Sequence, residues 1–142
     1  MRKSLALAAI VAALPLSAGA ATGPEVVLGV FEGALPCADC PGIRTRLTLV
    51  QENRFTAEGR YRLEETYLDR DPAPRVTEGT WTTLRGDAVD PDAVVYELNP
   101  DEPARAREFL KVGERAIRQL DRDFKEIPTR ANYTLKRIRT PK

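Results

Sequence analysis

A regular alternation of interior-type and polar residues is the feature that most limits what this chain can fold into. Residues 43–50 give the clearest case, because arginine or threonine separates successive residues that suit the interior of a sheet. The interior set is Ile43, Thr45, Leu47 and Leu49. A period of two is the side-chain period of a β-strand whose faces meet different surroundings. The range therefore predicts a half-buried strand.

Similar segments recur along the chain, and residues typical of turns separate them. Further strands are predicted at residues 26–33, 54–65, 76–84, 93–98 and 132–138. Gly59 lies inside one of these ranges and predicts a bulge or a sharp coil there. Short strands separated by turn residues about every ten positions are typical of a β-barrel or a β-sandwich.

The same alternation predicts which residues form the core. In residues 54–65 the interior set would be Phe55, Ala57, Gly59, Tyr61 and Leu63. Phe31, Trp81 and Tyr96 are expected to pack in the core, because aromatic side chains carry much of the area that a fold buries. If the barrel is closed and hollow, some of these aromatic residues would line a small apolar cavity.

Residues 104–120 fit two patterns. Their apolar residues have helical spacing, but Gly113 in the middle would cost a helix about 1 kcal/mol relative to alanine. The alternative is a hairpin with strands at residues 109–112 and 116–120 that turns at residues 113–114. Periodicity alone leaves both structures open.

Residues 1–20 have the features of a secretory signal peptide. Arg2 and Lys3 precede an apolar run at residues 5–16, and small residues follow at 17–20. That order is typical of a cleaved export sequence. The apolar run is shorter than the roughly 20 residues that a membrane-spanning helix needs.

We expect cleavage between Ala20 and Ala21, which leaves residues 21–142 as a single domain. The sequence has no cysteine near that position to carry a lipid. These features predict a soluble periplasmic protein without a lipid anchor.

Composition narrows the chemistry that the domain can perform. The chain has 22 Lys and Arg against 21 Asp and Glu, so it lacks the strong positive charge of a nucleic-acid binder. It has no histidine, and its one methionine is Met1. Without an imidazole to act as a general base near neutral pH, we expect a protein that is not an enzyme.

The two cysteines, Cys37 and Cys40, are the remaining candidates for chemistry, and both lie in residues 36–41. Exported thiols tend to pair, so the first interpretation is a disulfide within the loop. A disulfide that closes so short a ring stabilises a fold by only about 2 kcal/mol. A strained and exposed disulfide would also be easily reduced, which makes a regulatory role the second interpretation.

Two further interpretations use the free thiols. Two thiolates suit a soft ion such as Cu(I), although they provide only half of a structural zinc site. A thioredoxin-like redox site would need a helix N-terminus after the first cysteine to lower its pKa. Here Pro41 and Gly42 lead into an alternating strand, which makes this fourth interpretation the weakest.

The motif around the cysteines resembles the NlpE N-terminal domain family. Residues 29–49 contain the string Leu-Pro-Cys-Ala-Asp-Cys, followed by Pro-Gly-Ile and an alternating strand. Further similar segments lie at residues 79–81, 95–98, 109–113 and 120–121, so the resemblance covers residues 28–138. It implies a small antiparallel up-and-down β-barrel similar to lipocalins, and with it the hairpin at residues 104–120.

The resemblance also implies a role in copper tolerance or the envelope stress response. The leading hypothesis is a periplasmic binding or sensing module that handles Cu(I) through Cys37 and Cys40 and contacts another envelope protein. The alternative is a lipocalin-like carrier of a small apolar ligand, in which the two cysteines form a structural disulfide.

Overall fold

The alternating segments form eight antiparallel strands within residues 24–138, the part of the chain that the computed structural model describes. The strands are β1 (Val26–Leu35), β2 (Ile43–Gln51), β3 (Glu58–Tyr67), β4 (Arg75–Arg85), β5 (Val94–Leu98), β6 (Arg107–Val112), β7 (Ala116–Gln119) and β8 (Thr134–Arg137). A short 3-10 turn at Pro103–Arg105 precedes β6. The predicted signal peptide at residues 1–20 lies outside the described residues.

Each strand pairs with the next strand in the sequence, and β8 returns to pair with β1. The closing contact is short and aligns Phe31 with Arg137 and Glu32 with Lys136. Closure gives every described strand a partner on both sides. The prediction of an all-β, lipocalin-like up-and-down barrel is confirmed.

The hairpin at residues 104–120 is also confirmed. β6 and β7 pair from Val112 and Ala116 to Phe109 and Gln119. Gly113 stands at the turn with a φ of 63°, a left-handed conformation that glycine adopts without steric cost. The residue that weakened the helix prediction is therefore the residue that allows the turn.

A cluster of twelve buried side chains fills the barrel among the described residues. Its members are Phe31, Leu35, Leu47, Leu49, Tyr61, Leu63, Trp81, Tyr96, Leu98, Phe109, Ile117 and Leu135. Trp81 and Tyr96 meet edge to face, with ring centroids 5.6 Å apart. All the aromatic residues predicted for the core are buried there except Phe55.

Phe55 was predicted to face the core and is instead 90% exposed. β3 begins at Glu58, so residues 52–57 form a loop. The Oδ1 atom of Asn53 accepts a hydrogen bond from the backbone N–H of Phe55 at 2.9 Å. This local turn ends the strand period before it reaches Phe55.

The bulge predicted at Gly59 is wrong as well. Gly59 pairs with Gln51 in β2 and with Trp81 in β4, and the register does not shift at either pair. The irregularity lies in β1, between Val27 and Gly29. Gly59 has a different use: the Trp81 indole N–H crosses β3 and donates to the Val50 carbonyl at 3.1 Å. A Cβ atom at Gly59 would collide with that same carbonyl oxygen.

The barrel has two ends that differ in their connections. The cysteine end carries the connections at residues 36–42, 68–74, 99–106 and 120–133. The N-terminal end carries residues 24–25 and the connections at residues 52–57, 86–93 and 113–115. Within the described residues, we find no helix with the length and apolar character needed to span a bilayer.

Candidate functional site

The cysteine loop joins β1 to β2 at the cysteine end. Cys37 and Cys40 form a disulfide in this loop, with their Cα atoms 5.3 Å apart. Both cysteines are half-buried, whereas Ala38 and Asp39 between them are exposed. The structure thus places the disulfide at a surface that a reductant or a partner can reach.

The neighbouring connection between β3 and β4 holds the cysteine loop in place. The backbone N–H of Leu68 donates to the Gly42 carbonyl at 3.0 Å. Arg70 donates to the Oδ2 atom of Asp39 at 2.6 Å. Both side chains of this ion pair are exposed, and such pairs contribute about 0–1 kcal/mol. The ion pair therefore positions the loop more than it stabilises the fold.

Each of the two sulfurs lies beside one oxygen atom. The Cys37 Sγ lies 3.5 Å from the Asp39 Oδ1 atom, and the Cys40 Sγ lies 3.3 Å from the Gly42 carbonyl oxygen. A disulfide sulfur carries no proton, so these are contacts and become hydrogen bonds only after reduction. A carboxylate beside a thiol disfavours a second negative charge nearby. Arg70 pairs with Asp39 and offsets part of this effect.

The surroundings also bear on the redox interpretation. β2 begins at Ile43, directly after the loop, so a strand stands where a thioredoxin-like site needs a helix N-terminus. The loop therefore lacks the dipole that would lower the pKa of a nucleophilic cysteine.

A metal ion would have to rely on the two sulfurs. In residues 24–138 there is no group of three or more His, Cys, Asp or Glu side chains that could hold a metal ion. Two sulfurs without a third ligand suit Cu(I) better than zinc. The disulfide cannot act as this ligand, because metals bind the thiolate. Copper binding stays a prediction.

A polar cluster inside the barrel was missed at the sequence level. Arg107 donates to Glu65 at 2.9 Å and to Gln119 at 3.0 Å. The Glu65 position pairs with Thr45, a buried interior residue, so the cluster lies inside the wall near the cysteine end. Tyr61, Leu63 and Glu65 are every second residue of β3 and therefore share one face of the strand. This spacing could have predicted that the Glu65 carboxylate points inward.

A hollow of about 520 Å³ lies against the solvent-facing side of β3 and β4. Its lining includes Arg60, Arg62 and Glu78, together with Val50 and Thr80. Arg62 donates to Glu78 at 2.8 Å, so two of the charged groups in this hollow already satisfy each other.

The fold and the site together define a class of protein: a small closed antiparallel barrel with a disulfide loop at one end. Within that class the chain belongs to the NlpE N-terminal domain family, whose model matches residues 31–130. The match includes both cysteines and seven of the strands at least in part.

Individual relatives agree with this assignment. The 17 kDa lipoprotein of Treponema pallidum (strain Nichols) is 37% identical over 71 residues, which are 49% of this chain and 42% of that protein. Lipoprotein NlpE of Escherichia coli (strain K12) is 31% identical over 107 residues, which are 74% of this chain and 39% of that protein. The chain thus spans about two fifths of the length of these relatives.

Solved structures are similar as well. A crystal structure of a Shewanella oneidensis protein described as a lipoprotein has a TM-score of 0.51 and 29% identity, and the match covers 77% of this chain and 86% of that chain. The crystal structure of the Cpx pathway activator NlpE from Escherichia coli has a TM-score of 0.48 and 30% identity, with 80% of this chain and 52% of that chain covered.

These relatives correct the predicted location. The lack of a cysteine near Ala20 led to the prediction of a soluble periplasmic protein without a lipid anchor, whereas relatives from three bacteria are described as lipoproteins. Acyl chains hold such proteins at a membrane. The prediction of a non-lipidated protein is therefore wrong. It relied on one residue type in a region that lies outside the described residues.

Proposed function

We propose that this chain is a sensing module of the bacterial envelope and that its Cys37–Cys40 loop is the responsive element. One observation carries the proposal: the two cysteines of the chain lie side by side on an exposed connection of an otherwise closed barrel. The loop can therefore change its chemical state without unfolding the strands. Membership of the NlpE N-terminal domain family supports the envelope setting.

We propose Cu(I) as the ligand of the reduced loop. A dithiol reductant first supplies two electrons and two protons to the disulfide, which yields two thiols. Each thiol then loses its proton as it binds Cu(I), and the product is a bis-thiolate complex with a net charge of −1. Soft thiolates favour Cu(I) over harder ions. Arg70, which already pairs with Asp39, would offset part of the added negative charge.

A change in the loop would be read by another envelope protein at the cysteine end. The Asp39 side chain, the one charged group between the two cysteines, is 72% exposed. Its contact with Arg70 couples the loop to the β3–β4 connection. Reduction or copper binding would thus alter a surface formed by two connections.

The test is an anaerobic Cu(I) titration of the reduced full chain against a competing chelator. We expect one Cu(I) per reduced chain, and no comparable binding by Cys37→Ser, by Cys40→Ser or by the oxidised wild type. Ala38→Ser is the matched control, because it changes an exposed loop residue and keeps both sulfurs. Equal copper affinity in wild type and Cys37→Ser would rule the proposal out.

The carrier alternative gains no support from the packing of the barrel. Phe31, Trp81 and Phe109 are at most 1% exposed and belong to the contiguous cluster in the barrel interior. A ligand inside the barrel would have to displace these side chains, and interiors are packed too tightly to yield at low cost.

A further inference from the structure

Two apolar side chains at the N-terminal end are almost fully exposed. Among large apolar residues in the described part, Phe55 is 90% exposed and Val89 is 88% exposed, whereas Val27 and Val76 are each 44% exposed. Single exposed apolar residues are common, so exposure alone carries no argument. The way in which these two residues are held is more informative.

The same backbone device presents both residues. The Asn53 side chain accepts a hydrogen bond from the N–H of Phe55 at 2.9 Å, and the Asp87 side chain accepts one from the N–H of Val89 at 2.7 Å. In each case the polar residue stands two positions before the apolar one and forms an Asx turn. In both loops the turn leaves the apolar side chain in solvent.

Both loops lie at the end of the barrel from which the N-terminal segment departs. The β2–β3 loop contacts β4 through the Thr83 N–H, which donates to the Ala57 carbonyl at 2.8 Å, and the β4–β5 loop follows directly after β4. Val26 pairs with Gln51 at the start of β1, and Glu25 forms an exposed ion pair with Arg60 near the start of β3. The chain before residue 24 therefore joins the barrel at this end.

We propose that the N-terminal end of the barrel faces a lipid bilayer and that Phe55 and Val89 insert into its interface. The relatives are described as lipoproteins, which places proteins of this kind at a membrane. A bilayer that faced this end of the barrel would meet both loop tips. This inference goes beyond the proposed copper function and does not depend on it.

The two tips differ in their charges: Arg54 precedes Phe55, whereas the exposed Asp90 and Asp92 follow Val89, and Asp92 is paired with Arg85. Arg54 stands next to Phe55 and is exposed, so its side chain can reach lipid phosphates while the aromatic ring enters the interface. The Asp87 Oδ1 atom accepts hydrogen bonds from the backbone N–H groups of both Val89 and Asp90. This carboxylate is therefore turned back into its own loop, away from the tip.

Vesicle flotation of the full chain tests the proposal. We expect wild type to float with vesicles of phosphatidylethanolamine that contain a minority of phosphatidylglycerol. The double variant Phe55→Ser, Val89→Ser should partition about tenfold more weakly, because each replaced side chain loses apolar area that lipid would cover. Val76→Ser is the matched control: it removes an exposed apolar side chain at the cysteine end and should float like wild type.

A second measurement locates the tip directly and does not depend on the serine variants. In Phe55→Trp, the added indole should be quenched by vesicles of brominated lipid, whereas Trp81, which is 1% exposed in the core, serves as the unquenched reference in wild type. Equal flotation of wild type and double variant, absence of flotation by wild type, or no added quenching in Phe55→Trp would each overturn the proposal.

Discussion

Glu108 is a carboxylate at a position that water hardly reaches, on the outer face of β6. It is 7% exposed, and its cross-strand partner in β5 is a second carboxylate, Glu97. Burial, followed by the charge of Glu97, raises the pKa of Glu108 above its ordinary value. The folded state therefore holds the proton of Glu108 more tightly than the unfolded state does.

The direction of the resulting pH dependence follows from linkage. A raised folded-state pKa gives stability that is fully present below the unfolded value of 4.5 and is lost as pH rises through the folded value. We expect Glu108→Gln to raise the free energy of unfolding at pH 7 and to flatten its pH dependence above pH 4.5. Urea denaturation at several pH values measures both effects. An unchanged slope in the variant would show that other groups cause the pH dependence.

At the scale of the strand, Gly59 and Trp81 form one unit across three strands. The indole passes over Gly59 to reach the Val50 carbonyl, and an added Cβ would collide with that oxygen. We expect Gly59→Ala to cost about 1–3 kcal/mol, as overpacking does, and to disturb the environment of Trp81. Thermal denaturation and near-UV circular dichroism measure the two effects.

Gly113→Ala is the informative comparison for that variant. Its Cβ would meet no atom within 4 Å, although its φ of 63° is unfavourable for alanine. The expected cost is about 1 kcal/mol, with no change in the Trp81 signal. A larger cost for Gly113→Ala than for Gly59→Ala would contradict the account of Gly59.

The strands were predicted correctly where apolar and polar residues alternate regularly along the sequence. Residues 43–50 alternate cleanly because β2 has one face on the core and one in solvent, and the prediction is accurate there. Phe55 was misplaced because an Asx turn, which pattern reading ignores, ends the period. Pattern alone could not decide residues 104–120, since helix and hairpin spacing coincide in short apolar runs.

At the scale of the molecule, the interior ion pair joins strands that are not neighbours. Arg107 in β6 and Glu65 in β3 are 26% and 19% exposed, so little solvent screens them. Removing one partner leaves the other charge inside the barrel wall without compensation. We expect Arg107→Met to cost about 1–3 kcal/mol, and the double variant with Glu65→Leu to cost less than the sum of the two single variants.

The exposed pair Arg62–Glu78 provides the control for this cycle. Its side chains are 48% and 65% exposed, so a coupling energy of about 0–1 kcal/mol is expected. Urea denaturation of both sets of variants gives the two coupling energies. Equal values would mean that the interior position of Arg107 does not strengthen its ion pair.

The site was more predictable in its residues than in its surroundings. Cys37 and Cys40 were identified because a chain without histidine has few other reactive side chains. The contact between Asp39 and Arg70 could not be foreseen, because it depends on two connections that only the closed barrel brings together. The same limit applies to Glu65 and Arg107, whose contact spans the barrel interior.

The short pairing of β1 with β8 sets the order in which the sheet can be completed. β1 must wait for a partner from the far end of the sequence, and contacts between such distant segments form slowly. Until they form, β1 and β7 each expose a row of unpaired backbone groups that could recruit strands from other chains. Molecules that have not yet closed the barrel therefore pass through a period of vulnerability to aggregation, which ends when the last strand docks.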